Sequence, residues 1–176
     1  MVKNIKAVFL DRDGVLNLPI VIKNKPYAPT RIKDFRLYPY VTKFCKILKK
    51  NNFLLIVVTN QPDYYRKKIS LNILKKIHEA LKKKIQFDDI YVSLSSNNKN
   101  FFRKPNPGML IRAKKKYNIN FKKSYLIGDR RTDIEAAKRA GCKAIFINRN
   151  YEELPPSYQI KTVKSFGEAV NFILLK

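Results

Sequence analysis

The sequence predicts an α/β fold: three layers, with a central, mostly parallel sheet covered by helices on both faces. Three observations carry this. Apolar runs of strand length recur at 7–10, 54–58, 90–92, 125–127 and 144–147. Helical periodicity fills the intervals between them, and three of the runs pass directly into polar turns at 11–14, 59–61 and 128–133. Strands that alternate with helices build parallel sheets, and burial on both faces is what makes such strands continuously apolar.

The elements follow in order. Lys3 and Lys6 lead into the strand at 7–10. No clean periodicity exists between Asn17 and Phe35, where Pro26 and Pro29 stand among mixed polar residues, so about 18–35 reads as a flexible loop flanking a pocket. After Pro39, Val41, Phe44, Cys45 and Leu48 mark one stripe of a helix over 41–50. Ser70 suits the cap of a second helix, in which Leu74, Ile77, Leu81 and Ile85 recur at spacings of three and four. Pro107 suits the first turn of a third, with Leu110, Ala113 and Tyr117 on its apolar side. Thr132 with Glu135, and Ser165 with Glu168, match the capping box. The first pair predicts a helix starting at Thr132, and the second opens a final helix over about 165–175 that docks through Phe166, Ala169, Val170, Ile173 and Leu174.

With 176 residues, 45% of them hydrophobic, the chain has material for one substantial core, so 1–176 is expected to form a single domain. No stretch approaches the roughly 20 apolar residues of a membrane helix, and no secretory leader is evident at the start. A cytoplasmic monomer without membrane contact is expected. Cys45 and Cys142 lie in apolar contexts and read as core thiols rather than a disulfide. His78, the one histidine, sits mid-helix and reads as a surface or boundary residue. The net charge of +25 invites a nucleic-acid reading, but its lysine clusters at 49–50, 82–84, 114–116 and 122–123 are spread along helical segments as solvated faces. The same field helps a small anionic substrate.

Four segments carry chemistry. Val8-Phe9-Leu10-Asp11-Arg12-Asp13-Gly14 runs a strand into two carboxylates and a glycine turn, and strand ends of this kind line the crevice where ligands bind in open α/β sheets. Thr59-Asn60-Gln61 ends the second strand with a hydroxyl and amides suited to phosphate oxygens. In Arg103-Lys104-Pro105-Asn106-Pro107-Gly108-Met109, two prolines and a glycine stiffen the backbone around adjacent cations. Gly128-Asp129-Arg130-Arg131-Thr132-Asp133 supplies further metal-binding oxygens before a helix.

These four segments, in this order, resemble the haloacid dehalogenase (HAD) superfamily of aspartate-nucleophile phosphatases, and within it the branch of histidinol-phosphate and heptose-bisphosphate phosphatases. The resemblance spans about residues 5–150. It implies a Rossmann-like fold without a large cap domain. It implies Asp11 as the nucleophile that forms an aspartyl-phosphate, and Asp13 as the general acid and base. It assigns Thr59 and Lys104 to stabilising the transferring phosphoryl group, and Asn60, Arg103 and Arg130 to binding substrate. It places Mg²⁺ on Asp11, the backbone carbonyl of Asp13 and Asp129. Asp133 either orients the metal shell or favours the N-terminal end of its helix. The substrate implied is a small phosphorylated metabolite, foremost D-glycero-D-manno-heptose 1,7-bisphosphate losing its 7-phosphate in surface-glycan precursor synthesis. Histidinol phosphate and a nucleic-acid 3′-phosphate are the alternatives, although nucleic acid is not the expected partner.

One departure stands out. Many relatives carry a Cys and His zinc loop before the Arg-Lys-Pro segment, whereas here 93–102 reads Ser-Leu-Ser-Ser-Asn-Asn-Lys-Asn-Phe-Phe. No structural zinc is expected there, and Phe101 and Phe102 are expected to replace it by packing.

Overall fold

The computed structural model describes residues 5–176. In chain order the elements are β1 (Lys6–Leu10), β2 (Ile20–Ile22), β3 (Lys25–Tyr27), α1 (Val41–Lys50), β4 (Phe53–Asn60), α2 (Pro62–Tyr65), α3 (Leu71–Lys84), β5 (Asp89–Ser93), α4 (Gly108–Tyr117), β6 (Tyr125–Gly128), α5 (Arg131–Ala140), β7 (Lys143–Ile147), β8 (Lys161–Val163) and α6 (Phe166–Leu174). Six strands form one sheet in the order β5-β4-β1-β6-β7-β8, with every neighbouring pair parallel. β2 and β3 form a separate antiparallel hairpin.

The period-two alternation of β1 divides the core. Val8 and Leu10 face one layer, where Val41, Cys45 and Leu48 of α1 meet Phe166, Ala169, Val170 and Ile173 of α6. Ala7 and Phe9 face the other, packed with Met109, Leu110 and Ala113 of α4 and Ile134 and Ala137 of α5. Phe9 meets Phe121 edge to face, with ring centroids 5.9 Å apart. All four residues from Ala7 to Leu10 are fully buried. Such burial is worth about 1.5–3 kcal/mol for each large aliphatic or aromatic side chain, so β1 is anchored from both sides.

That anchoring serves the strand's carboxyl end. From β1 the chain moves outward to β4 and β5, then returns across the sheet to β6 and continues to β7 and β8. The order reverses beside β1, and the crevice outside the strand ends at such a reversal is where α/β sheets hold ligands.

Three features differ from the sequence expectations. α5 begins at Arg131, so Thr132 lies inside the first turn; the cap-like contact is made by Asp133, whose Oδ2 accepts from the Arg130 amide at 3.0 Å. Asp133 is fully buried, and a buried carboxylate needs donors such as this amide. The 18–35 segment contains the β2–β3 hairpin and a 3₁₀ turn at Ile32–Asp34, and is not wholly irregular. β8 was hidden because only Val163 of its three residues is buried, which leaves no apolar run to read. Ser70 and Ser165 do cap α3 and α6, accepting from the Ile73 and Glu168 amides. Both cysteines are free and buried.

Candidate active site

β1 delivers Asp11 to the sheet's carboxyl edge, where its amide still donates to the Ile127 carbonyl of β6 at 3.1 Å. The chain then turns at Gly14, whose φ of +86° favours a residue without a side chain. Space demands the same, since a Cβ on Gly14 would lie 1.7 Å from Asp129 Oδ2. The loop after β1 and the loop after β6 are therefore pressed together, and one ligand atom from each of Asp11, Asp129 and Asp133 falls within 4.8 Å of the others.

All three carboxylates are buried, and so is Lys104. The Lys104 ammonium reaches Asp11 Oδ1 at 2.8 Å and Asp133 Oδ1 at 2.5 Å, and donates to the Val58 carbonyl at 2.8 Å. One cation against three clustered acids leaves an excess of negative charge. Burial, then the Asp133 charge, pushes the Asp11 carboxyl up to about 7 against the pull of Lys104. Burial and the charges of Asp11 and Asp133 hold Asp129 well above the usual carboxylate range. Neither oxygen of Asp129 has a donor in good hydrogen-bond geometry among the described residues, and the nearby Tyr151 hydroxyl and Arg130 charge offset that rise only in part. Hard oxygens, unsatisfied and in negative excess, fit a divalent cation.

Asp13 is held differently. Its carboxylate accepts from Arg12 Nε and Nη2 at 2.9–3.3 Å, from Asn17 Nδ2 at 2.9 Å and from Gln61 Nε2 at 2.8 Å. Gln61 Nε2 also reaches Thr59 Oγ1 at 2.8 Å, so β4's end is tied to the turn after β1. Arg12 is fully buried, and its Nη1 lies 2.9 Å from Nε2 of His78 on α3.

A cavity of about 340 Å³ opens over this cluster, with Asp11, Asp13, Asn60, Lys104, Asp129 and Asp133 in its wall. Arg66, Arg103 and Arg130 line it too. Burial and the nearby charges of Arg66 and Arg130 lower the Arg103 guanidinium below its ordinary value, which places three cationic heads around one opening. Arg103 is oriented by Asn98 Oδ1 at 3.1 Å and the Ser95 carbonyl at 2.9 Å. Arg130 forms an ion pair with Glu153.

The family model described as HAD-hydrolase-like matches residues 101–159. The D-glycero-α-D-manno-heptose-1,7-bisphosphate 7-phosphatase of Campylobacter jejuni is 32% identical over 95% of this chain and 95% of its own length. The Photorhabdus laumondii enzyme of the same name is 35% identical over 81% of this chain and 82% of its own. The chain belongs to the HAD-like phosphatases. Solved structures agree on the fold: the D,D-heptose 1,7-bisphosphate phosphatase from B. bronchiseptica, crystallised with magnesium and phosphate, superposes with a TM-score of 0.82 at 21% identity, covering 97% of this chain and 99% of that one.

Within this HAD-like phosphatase, the structure gathers Asp11, Asp13, Thr59, Lys104 and Asp129 at one strand edge. Asn60 stands in the cavity wall. Its side-chain amide makes reciprocal bonds to the Lys104 backbone, donating to the carbonyl at 2.9 Å and accepting from the amide at 3.1 Å. Asp133 is an acceptor at the helix start, one of the two roles expected of it, and it also forms an ion pair with Lys104 that the sequence did not suggest. The hairpin from the 18–35 segment contributes Lys25, Pro26, Tyr27 and Ala28 to the cavity wall. In the 93–102 segment, Asn98 and Asn100 carbonyls accept from Asn106 Nδ2, and the Phe101 and Phe102 rings meet edge to face at 5.5 Å. Phe101 covers Gly108, where a Cβ would strike its backbone oxygen at 2.4 Å, while both rings keep a solvent-exposed side.

Sequence reading missed Arg12, Asn17, Gln61, His78 and Arg149 as parts of the site. Arg149 donates to the Gly14 carbonyl at 3.0 Å with its guanidinium 4.1 Å from the centre of the Tyr38 ring. Arg12 and Gln61 stand inside the quoted motifs, which was the available signal; Arg149 and His78 arrive from remote segments with no local mark.

Proposed function

We propose that this phosphatase is a Mg²⁺-dependent phosphomonoester hydrolase that removes the 7-phosphate of D-glycero-D-manno-heptose 1,7-bisphosphate, in cytoplasmic synthesis of surface-glycan precursors. The observation that carries the reading is the Asp11–Lys104 pair beside Asp129, whose two buried oxygens lack donors in good geometry. Asp11 attacks phosphorus and forms an aspartyl-phosphate while the P–O bond to the sugar breaks. Asp13 gives its proton to the departing sugar oxygen, and then takes one from the water that hydrolyses the intermediate. Lys104 and Thr59 stabilise charge on the transferring group, and Asn60 acts by fixing the Lys104 backbone. Asp11, Asp129 and the Asp13 carbonyl would hold Mg²⁺, which when bound supplies positive charge at the phosphoryl oxygens.

The cationic rim supports the substrate. A sugar bisphosphate presents a second dianion to Arg66, Arg103 and Arg130, and bidentate guanidinium contacts suit phosphate. Histidinol phosphate is the second reading, because the Bacteroides fragilis histidine biosynthesis bifunctional protein HisB is 30% identical over 85% of this chain and 41% of its own length. Beyond its single phosphate, histidinol phosphate carries an ammonium and an imidazole, so it presents no second anion to these arginines. Among the described residues, no helix is long and apolar enough to cross a membrane. Phosphate release from heptose 1,7-bisphosphate and from histidinol phosphate, measured side by side, tests the assignment. Higher kcat/KM for histidinol phosphate overturns it, and Asp11→Asn with wild-type activity overturns the chemistry.

A further inference from the structure

We propose that His78 is a positioning residue for proton transfer, acting through Arg12 on Asp13. This rests on the reading of Asp13 as the general acid.

The geometry is a chain of three side chains. The Nε and Nη2 edge of Arg12 grips the Asp13 carboxylate, and its other end, Nη1, meets His78 Nε2 at 2.9 Å. A guanidinium has donors only, so Nε2 must accept and the imidazole must be the neutral tautomer with its proton on Nδ1. Burial, together with the Arg12 charge, pushes His78 down to about 4, which keeps that acceptor available throughout the neutral range. Gripped at one edge alone, a guanidinium retains freedom to pivot about the carboxylate. A second bond at the opposite end fixes its plane, and with it the direction of the Asp13 oxygens.

The placement of His78 argues against a role in core packing alone. α3 docks through Leu74, Ile77 and Leu81, which are buried, while His78 lies at the boundary between that stripe and solvent. It turns a ring nitrogen toward a buried cation, and burying a guanidinium end without an acceptor is costly.

The test exploits leaving groups. When an alkyl ester is cleaved, the bond from phosphorus to the ester oxygen breaks as the Asp11–phosphorus bond forms, and the oxygen needs the Asp13 proton. p-Nitrophenolate departs unprotonated. With Mg²⁺ saturating, kcat/KM is measured for β-glycerol phosphate and p-nitrophenyl phosphate in wild type, His78→Leu, His78→Ala, His78→Gln and Asp13→Asn. General-acid catalysis typically supplies 10²–10⁴-fold, so loss of its positioning in His78→Leu and His78→Ala is expected to cost about tenfold on the alkyl ester and under about twofold on the aryl one. His78→Gln, whose Oε1 accepts from Arg12, is expected to restore the alkyl rate to within about threefold of wild type by the same reasoning. Equal losses on both esters, or no rescue by glutamine, overturn the inference. If Asp13→Asn itself fails to discriminate between the esters, the general-acid reading falls and the inference falls with it; discrimination by Asp13→Asn but not by the His78 variants sinks the inference alone. The alanine variant provides the answer should leucine prevent folding.

Discussion

Lys104 Nζ lies 2.8 Å from Asp11 Oδ1, and both side chains are shut away from solvent. A buried cation this close to the proposed nucleophile opposes desolvation and the Asp133 charge, which together still raise the carboxyl to about 7. In the proposed mechanism the same ammonium neutralises charge on the phosphoryl group. Lys104→Met keeps the length of the side chain and removes the charge. Loss of one such stabilising donor costs on the order of 10²–10³ in rate, so kcat is expected to fall by about that factor while the Mg²⁺ requirement persists. Steady-state kinetics with heptose bisphosphate checks this.

The metal-free protein carries a pH signature. Asp11 titrates at about 7 in the folded chain against 3.8 ordinarily. Between those values the folded state binds the proton and the unfolded state has released it, so this group's contribution to stability falls as pH rises from about 4 to about 7 and is constant above, while Asp129, also raised, acts in the same direction. In EDTA the wild-type melting temperature should decline across that window, and Asp11→Asn should lose the part of the decline due to this group. Added Mg²⁺ should raise wild-type Tm most above pH 7, where protons compete least with the cation for the carboxylates of the cluster. A Tm in EDTA that rises through this window more steeply for wild type than for Asp11→Asn would contradict the account.

Residues whose function follows from their own strand were legible in the sequence. Asp11, Thr59 and Asp129 each follow an apolar run, so the carboxyl edge of a parallel sheet brings them together whatever the loops do. Lys104 was legible through the stiff Pro and Gly residues around it. Asn60 was legible as a site residue but not in its partner, because its amide bonds to a backbone 44 positions away. His78 was opaque for the same reason: its contact with Arg12 spans 66 positions and depends on how α3 rotates over the sheet. Thr132 misled, since a capping box read locally cannot anticipate that the helix starts one residue earlier, with the buried Asp133 carboxylate accepting from the Arg130 amide.

Asn60→Leu tests that remote contact. The substitution leaves the Lys104 amide and carbonyl without their partners, at a cost of about 1–3 kcal/mol for each group that water cannot reach. Lower thermal stability is expected together with a fall in kcat larger than the change in KM, because the residue places Lys104 rather than touching the sugar. A rise in KM alone would instead assign Asn60 to substrate.

Arg103→Ala addresses the opposite case. Its guanidinium lines the cavity, braced by Asn98 and the Ser95 carbonyl, and makes none of the contacts of the Asp11–Lys104 pair. A charged hydrogen bond is worth about 1.5–3 kcal/mol, so KM for the bisphosphate should rise by about 10–100-fold while p-nitrophenyl phosphate, which has no second phosphate, is affected by less than about threefold. Parallel losses on both compounds would show that the arginine serves the reacting phosphate.

Gly14→Ala asks whether the two acidic loops must touch. At φ +86° an alanine is strained, and its Cβ would stand 1.7 Å from Asp129 Oδ2, a distance that forces one loop away from the other. Backbone strain of this kind costs about 1–3 kcal/mol, small enough for the domain to remain folded. The displaced carboxylate should weaken metal binding more than it weakens the fold, because hard-cation sites depend on closely set oxygens. Activity titrated against Mg²⁺ should therefore show a midpoint raised by at least about tenfold, consistent with about 1.4 kcal/mol of lost binding, alongside a reduced kcat at saturation. An unchanged midpoint would mean that Asp129 reaches the cation from a position that the turn at Gly14 does not set.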